Sequence, residues 1–169
     1  MNGDNNEIAA AVAALADALQ ALGWKLATAE SCTGGLIAAA CTERAGSSDW
    51  FERGFVTYSN EAKTDSLGVD PALIALHGAV SEVVARSMAF GAIRHSRAQA
   101  CVAVTGVAGP SGGSEEKPVG TVWFGFQVDG RLTSEVHRFA GDRTAVRQAS
   151  VRFALDRLLQ LLAAAAAER

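Results

Sequence analysis

A serine on a glycine-flanked turn is the first group in this sequence that could act as a nucleophile. Ser31 follows an apolar run of strand type that begins near Trp24, and Cys32-Thr33-Gly34-Gly35 and an alanine-rich helical pattern come directly after it. Backbone N–H groups at a helix start lack intrahelical partners, so they can stabilise an anion or a carbonyl oxygen that gains charge. The turn alone favours a structural role, in which Ser31 and Thr33 cap the helix and the glycines permit close packing, because capping serines are common.

A lysine in the first turn of a predicted helix is the second candidate group. Residues 54–58 have strand composition and end at Tyr58, Asn60 is a suitable helix cap, and Lys63 follows it. A cation in a first turn opposes the helix macrodipole, which favours the neutral amine and a general-base role if the site is also partly dry. A serine with a neutral lysine as its base can perform acyl transfer without histidine.

Other nucleophiles and bases in the sequence lack a clear partner. Cys32 adjoins Ser31, but it has no histidine nearby in sequence and fits a small packing residue equally well. His77 and His95 end helical segments and His137 lies on a predicted edge strand, so structural or exposed roles are expected for all of them. No spacing of His, Cys, Asp and Glu suggests a metal site, and the chemistry calls for no cofactor.

Two further segments could bind an anionic ligand. The near-continuous apolar run 101–105 predicts a central strand, and the glycine-rich stretch 106–118 follows it. Glycines let a backbone approach a ligand and present N–H groups to it, although a flexible surface loop fits this composition equally well. Arg143 and Arg147 lie one turn apart on a predicted helix. Arginine pairs at this spacing more commonly lie on a solvent-exposed helix surface than bind a ligand. The glycine spacing matches neither the dinucleotide-binding fingerprint nor the P-loop.

Helices and strands that could position these groups alternate along the chain, as in an α/β domain. Apolar residues at helical spacing from Ile8 to Leu22 predict a core-facing helix that ends at Gly23. Further helices are expected over residues 33–44, after Asn60, Asp70 and Ser81, and from residue 143 onwards. Residues 119–128 and 131–139 predict an antiparallel hairpin, with the second strand at an edge. Ligands collect at the carboxyl ends of strands in open α/β sheets, so Ser31, Lys63 and the loop after Thr105 are expected to share one crevice.

Composition and charge restrict the class of protein. A chain of 169 residues with 49% hydrophobic residues fits one globular domain, residues 1–169, with disorder expected only at its ends. The net charge of -3 disfavours nucleic acid and anionic membranes as partners, while leaving room for a local basic pocket. The odd count of 3 cysteines and the absence of a signal-like segment predict a reducing, cytoplasmic setting. No apolar run approaches the ~20 residues that span a bilayer.

Ordered motifs over nearly the whole chain resemble the CinA C-terminal-domain family. They are TAESCTGG at 28–35, TYSNEAK at 57–63, GAVS at 78–81, TGVAGP at 105–110, KPVGTV at 117–122 and GDR at 141–143. Val107, where an isoleucine often stands in the family, is a conservative departure. The resemblance implies a single three-layer α/β/α domain with a mixed, largely parallel sheet and an antiparallel hairpin near the C-terminus.

The family's stand-alone members are nicotinamide-nucleotide amidases, and the chain resembles this form because no larger domain precedes the motifs. The resemblance therefore implies conversion of nicotinamide mononucleotide and water to nicotinate mononucleotide and ammonia, as part of pyridine nucleotide recycling. It implies no metal or cofactor, and a homo-oligomer is expected. The alternatives are an amide hydrolase with Cys32 as nucleophile, and a module of the same fold that binds a nucleotide or a protein without catalysis.

The resemblance also implies roles for individual residues. Ser31 matches the nucleophile, Lys63 the general base, and Tyr58 a residue that assists or orients the pair. N–H groups of residues 33–35 are expected to face the reacting oxygen, and the two arginines are assigned to the ligand only jointly. The expected substrate-binding residues are Glu30, Thr33, Gly34, Gly35, Thr105, Gly106, Gly109, Gly112, Arg143 and Arg147.

Overall fold

A five-stranded mixed sheet lies at the centre of the computed structural model, which describes residues 2–169. The strands are β1 (Leu26–Glu30), β2 (Phe51–Val56), β3 (Ala100–Gly106), β4 (Thr121–Val128) and β5 (Arg131–Arg138). Their order across the sheet is β2-β1-β3-β4-β5. Strands β2, β1 and β3 run parallel, whereas β4 and β5 pair antiparallel. The predicted mixed sheet and C-terminal hairpin, with its second strand at an edge, are confirmed.

Helices cover both faces of this sheet. They are α1 (Asn2–Leu22), α2 (Leu36–Glu43), α3 (Asn60–Leu67), α4 (Pro71–His77), α5 (Glu82–Arg94) and α6 (Arg143–Ala167), with a short 3-10 helix at Ser47–Asp49. Helices α1, α2 and α6 share one apolar core with the sheet, and α3, α4 and α5 share another on the opposite face. The three-layer α/β/α fold is therefore confirmed. No helix within residues 2–169 has the length and apolar character required to cross a bilayer.

Strand β3 demonstrates how one sequence serves both cores. Side chains alternate across a strand, so Val102 and Val104 face the core under α1 and α6, while Cys101 and Ala103 face the core under α5. All four are fully buried. A strand that is covered on both faces has apolar residues at consecutive positions, which explains the composition of this segment.

The carboxyl ends of the parallel strands bring the chemically interesting segments to one edge of the sheet. Ser31 comes directly after β1, Thr57 directly after β2, and the glycine-rich loop directly after β3. Ladder-like hydrogen bonds continue into these residues, from Ser31 N to the Val104 oxygen and from Thr57 N to the Glu30 oxygen, both at 2.9 Å. The three segments are therefore held side by side by the sheet itself.

Some predicted boundaries and caps differ from those observed. The strand expected at 54–58 ends at Val56, so Tyr58 lies in the following loop rather than in the strand. The cap expected at Asn60 was wrong, because Ser59 is the cap and its hydroxyl accepts the Ala62 N–H at 3.0 Å. Lys63 nevertheless lies in the first turn of α3, as predicted.

A close contact between two helices sets the position of α3. A Cβ atom added at Gly91 of α5 would lie 2.0 Å from the backbone oxygen of Leu67 in α3. Only glycine therefore permits this separation, and the helix that carries Lys63 rests directly on the backbone of α5.

Gly91→Ala is expected to lower the free energy of unfolding, because an overpacked contact costs about 1–3 kcal/mol. The higher helix propensity of alanine, about 1 kcal/mol, is too small to offset a clash with a backbone atom. Urea unfolding monitored by circular dichroism measures the change. Gly3→Ala in α1 is the matched control, since nothing lies within 4 Å of its added Cβ and it should be neutral or slightly stabilising. A Gly91→Ala protein as stable as the unsubstituted chain would contradict this packing.

Candidate functional site

Ser31 lies on a tight turn that is anchored to the sheet and opens into a pocket. Its own N–H bonds to β3, and its carbonyl accepts the N–H of Gly34 at 2.9 Å. The residue is only 9% exposed. The pocket in front of it has a volume of about 240 Å³.

The amine of Lys63 lies beside the Ser31 hydroxyl. Lys63 Nζ is 2.9 Å from Ser31 Oγ and 2.7 Å from the carbonyl oxygen of Thr57. The side chain is 1% exposed, and burial lowers the pKa of the amine from its usual value of 10.5. A neutral amine can donate one hydrogen to Thr57 and still offer its lone pair to the serine hydroxyl. The two side chains thus have the geometry of a nucleophile and its base.

Tyr58 and Arg143 form one wall of the pocket. Arg143 donates from Nη2 to the Tyr58 hydroxyl and from Nη1 to the Gly109 carbonyl oxygen, each at 2.9 Å. Tyr58 is 60% exposed, and its backbone carbonyl oxygen lies 3.5 Å from Lys63 Nζ. The phenol therefore contacts the arginine, while the backbone of the same residue contacts the lysine.

The pocket brings together six of the residues expected from the sequence, together with others that were not. It is lined by Ser31, Cys32, Tyr58, Asn60, Lys63, Ala79, Val80, Thr105, Gly106, Ala108 and Arg143. Thr105 closes one side with a hydrogen bond from its hydroxyl to the Ala79 oxygen at 2.9 Å. Asn60 was missed because it was interpreted as a cap. The adjacent Ser59 is equally suited to capping, and this could have indicated that the Asn60 side chain is available for another role.

Glu30 binds the start of α2 instead of lining the pocket. Its carboxylate accepts the N–H of Ile37 at 2.9 Å and of Ala38 at 3.0 Å, and the residue is fully buried. Thr33, considered above as a possible cap of this helix, does not cap it. The cap position is Gly35, in a left-handed conformation with no side-chain bond, and the Thr33 hydroxyl has no partner among the described residues. The carboxylate of Glu30 takes over the capping role from a position seven residues upstream of Ile37.

Arg147 lies behind the Ser31 turn and not in the pocket lining. Its Nε donates to the Cys32 carbonyl oxygen at 3.1 Å and its Nη2 to that of Thr33 at 3.3 Å. Of the remaining expected residues, Gly34 and Gly35 belong to the turn, and Gly112 lies in the exposed part of the glycine-rich loop.

The thiol of Cys32 is poorly suited to act as the nucleophile. It lines the pocket, but burial raises its pKa from 9.0 to about 11, so the thiol is protonated at neutral pH. No histidine lines this pocket within the described residues. The side chain of Cys32 is 5% exposed and belongs to the apolar core between the sheet and α6.

A larger cavity of about 600 Å³ lies elsewhere, between α1, α2 and α6. Its lining is mainly aliphatic, contains the two charged residues Glu43 and Arg44, and includes no serine or lysine from the described part of the chain. The smaller pocket is the better candidate site because it contains a paired nucleophile and base. No group of three or more His, Cys, Asp or Glu side chains suited to a metal ion occurs within residues 2–169.

Comparison with known proteins identifies close relatives. Residues 8–162 match the protein family described as CinA C-terminal domain. The nicotinamide-nucleotide amidohydrolase PncC of Escherichia coli K12 is 55% identical over 144 residues, which cover 85% of this chain and 87% of that protein. A CinA-like protein of Syntrophobacter fumaroxidans is 47% identical over 162 residues, covering 96% of this chain and 38% of that protein.

Solved structures agree with this relationship. A competence/damage inducible protein from Agrobacterium tumefaciens is 48% identical and superposes with a TM-score of 0.89, covering 92% of this chain and 95% of that one. A protein of the competence-damaged (CinA) superfamily from Escherichia coli is 42% identical, with a TM-score of 0.89 over 91% of this chain and 90% of that one.

Cys32 is expected to react slowly with iodoacetamide in the folded protein, because its raised pKa leaves about a hundredfold less thiolate than an ordinary cysteine. Peptide mass spectrometry after timed alkylation, in buffer and in urea, measures the difference. Cys41 and Cys101 are internal controls, since burial raises the pKa of both thiols to about 12. Alkylation of Cys32 as fast in the folded as in the unfolded chain would restore it as a rival nucleophile.

Proposed function

The chain belongs to the CinA C-terminal domain family, and on this basis we propose that it is a nicotinamide-nucleotide amidase with a serine nucleophile and a lysine base. The proposed reaction converts nicotinamide mononucleotide and water to nicotinate mononucleotide and ammonia. The observation that carries the proposal is the 2.9 Å hydrogen bond between Lys63 Nζ and Ser31 Oγ inside a pocket. The name of the Escherichia coli relative, at 55% identity, supports the substrate class.

In the first half of the reaction, neutral Lys63 accepts the Ser31 proton as Oγ attacks the carboxamide carbon. Its lowered pKa favours the neutral form that this step requires. Collapse of the tetrahedral intermediate breaks the C–N bond, and Lys63 returns the proton to the departing nitrogen. The products of this half are ammonia and an ester between the nicotinoyl group and Ser31.

In the second half, a water molecule takes the place of ammonia. Lys63 accepts a proton from that water as it attacks the ester carbon, and then returns the proton to Ser31 Oγ as the ester breaks. Nicotinate mononucleotide leaves, and Ser31 and Lys63 are restored. One water is consumed and one ammonia is released, so no metal or cofactor is needed to balance the reaction.

The tetrahedral oxygen needs a donor, and few N–H groups of the turn are free to provide one. Gly34 donates to the Ser31 carbonyl, Ile37 and Ala38 donate to Glu30, and Thr33 is completely buried. Cys32 lines the pocket, and its N–H meets no backbone carbonyl in the described chain. The N–H of Gly35 also meets no backbone carbonyl among the described residues, but Gly35 does not line the pocket. The donor in this proposal is therefore the amide of Cys32, the residue that follows the nucleophile, in place of the residues 33–35 expected from the sequence.

The phosphate of the substrate requires a cation, and Arg143 is the arginine of the pocket lining. Its guanidinium donates to Tyr58 and Gly109, and its remaining N–H groups are available to a phosphate. The phenol of Tyr58 then orients Arg143, and the exposed face of its ring is available to the nicotinamide. Gly106 also lines the pocket, and glycine is required there because an added Cβ would lie 2.7 Å from a side-chain carbon of Val122.

Ser31→Ala and Lys63→Ala are each expected to lower ammonia release from nicotinamide mononucleotide by roughly 10³-fold or more, because the nucleophile and its base act as one unit. An enzyme-coupled ammonia assay measures the rate, and circular dichroism verifies the fold. The matched controls are Ser66→Ala, an exposed serine on α3, and Lys25→Ala, a lysine remote from the pocket; both should retain activity. Full activity in Ser31→Ala would refute the mechanism. Tight nucleotide binding without ammonia release from the unsubstituted chain would favour a binding module.

The value of kcat/KM is expected to rise with pH and to level off below the ordinary lysine pKa of 10.5. The sign follows from the role of the base: only neutral Lys63 accepts the proton, and its lowered pKa moves the rise to lower pH. Initial rates in overlapping buffers define the profile, and Tyr58→Phe tests the assignment. A rise due to the phenol would vanish in that variant, whereas a rise due to Lys63 persists. A flat profile across the neutral and alkaline range would contradict a lysine base.

A further inference from the structure

Charged side chains hold the Ser31 turn from outside the pocket. On one side, both oxygens of Glu30 accept N–H groups from the first turn of α2. On the other side, the guanidinium of Arg147 donates to the carbonyls of Cys32 and Thr33. The carboxylate accepts two N–H groups at the start of α2, and the guanidinium donates to two carbonyl oxygens of the turn. The turn that carries the nucleophile is therefore fixed at both ends by charge-assisted hydrogen bonds.

Arg143 and Arg147 lie on the same helix but face different surroundings. Arg143 lines the pocket and is exposed. Arg147 is half-buried and does not line it. The contact of Arg147 with the turn is close, since a Cβ added at Gly34 would lie 3.4 Å from Arg147 Nη2. A guanidinium packed against the turn in this way is turned away from a ligand in the pocket.

We infer that Arg147 is a positioning residue for the nucleophile and does not contact the substrate phosphate. Of the two arginines, only Arg143 binds the phosphate. The inference rests on the proposed function in that Ser31 is taken as the nucleophile. It separates two arginines that the sequence motif assigns to the ligand only jointly.

Removal of Arg147 would leave the Cys32 carbonyl without a donor. Thr33 also accepts the N–H of Leu36 at 3.0 Å, but within the described chain the Cys32 oxygen accepts from Arg147 alone. An unpaired buried carbonyl favours rearrangement of the turn towards water. Such a rearrangement shifts Ser31 Oγ relative to Lys63 Nζ, and a misplacement of about 1 Å can lower the rate about 10²-fold.

The kinetic test compares Arg147→Gln, Arg143→Gln and the control Arg152→Gln on nicotinamide mononucleotide. Arg152 lies on the same helix and bonds only to the surface carboxylates Glu7 and Asp156. We expect Arg147→Gln to lower kcat about tenfold to a hundredfold with little change in KM. Arg143→Gln should raise KM, roughly tenfold or more, because a hydrogen bond to a charged group is lost. Arg152→Gln should change neither value. An increase of KM in Arg147→Gln as large as that in Arg143→Gln would overturn the inference.

Labelling by phenylmethanesulfonyl fluoride gives a readout that is independent of the substrate. In this reaction Ser31 Oγ bonds to the sulfonyl sulfur, fluoride leaves, and the serine proton passes to Lys63. The reagent carries no phosphate, so its rate, followed by intact-mass spectrometry, reports the geometry of Ser31 alone. Arg147→Gln should slow the labelling at least tenfold, whereas the control Arg152→Gln, whose arginine bonds only to Glu7 and Asp156, should leave the rate unchanged. Equal labelling rates in Arg147→Gln and the unsubstituted protein would overturn the inference.

Arg147→Lys separates positioning from simple loss of stability. Lysine keeps the charge and can donate to the Cys32 carbonyl, but it lacks the planar fork that holds two acceptors at once. The labelling rate of this variant should lie between those of Arg147→Gln and the unsubstituted protein. A purely structural role would give the same labelling rate for all variants that remain folded by circular dichroism. A chain that is labelled at Ser31 but releases no ammonia from nicotinamide mononucleotide would contradict the proposed substrate and leave this comparison decisive.

Discussion

The hydrogen bond between Lys63 and Ser31 imposes a demanding condition on the rest of the structure, because it requires an amine to be buried without a carboxylate beside it. Its described partners are a hydroxyl and backbone carbonyl oxygens. An ammonium in such surroundings loses its hydration and gains no opposite charge in return, which favours the neutral amine. The fold must therefore supply enough packing around Lys63 to keep water away. Two features help to exclude water from the Lys63 amine. Helix α3 approaches α5 closely at Gly91, and β1 lies inside the sheet.

The distribution of charge around the pocket differs from that of the whole chain. The net charge is -3, yet no carboxylate within residues 2–169 lines the site, and the basic residues of its lining are Lys63 and Arg143. The nearby carboxylate of Glu30 is turned towards helix amides, so it does not offer its oxygens to the pocket. An anionic ligand would therefore meet cationic and neutral groups there despite the net negative charge of the chain. Bulk charge excludes broad classes of partner, but it does not describe a pocket of this size.

The sequence predicted the elements and the convergence of Ser31 and Lys63 because both depend on local patterns. Strand and helix periodicity, glycine stops and the rule for carboxyl ends of strands suffice for that. The start of α2 was misplaced because its cap comes from Glu30, whose role depends on how the turn folds back and not on spacing from the helix. The two arginines could not be distinguished from spacing either. Four residues apart, they differ by only about 40° around a helix, and neighbouring elements decide which one meets the pocket.

The glycine-rich loop is closed at its base by hydrogen bonds between its own ends. Val107 N bonds to the Thr121 oxygen and Gly120 N to the Val107 oxygen, so residues 108–119 leave and re-enter the sheet at nearly the same place. The entropy of closing such an excursion grows only slowly with its length. Insertions, deletions and exchanges within it can accumulate without altering the register of β3 and β4 or the distance between Ser31 and Lys63. Within residues 108–119 the loop reaches the site at two points, through Ala108 in the pocket lining and through the Gly109 carbonyl that accepts from Arg143, so the rest of the loop can vary without touching the reaction centre.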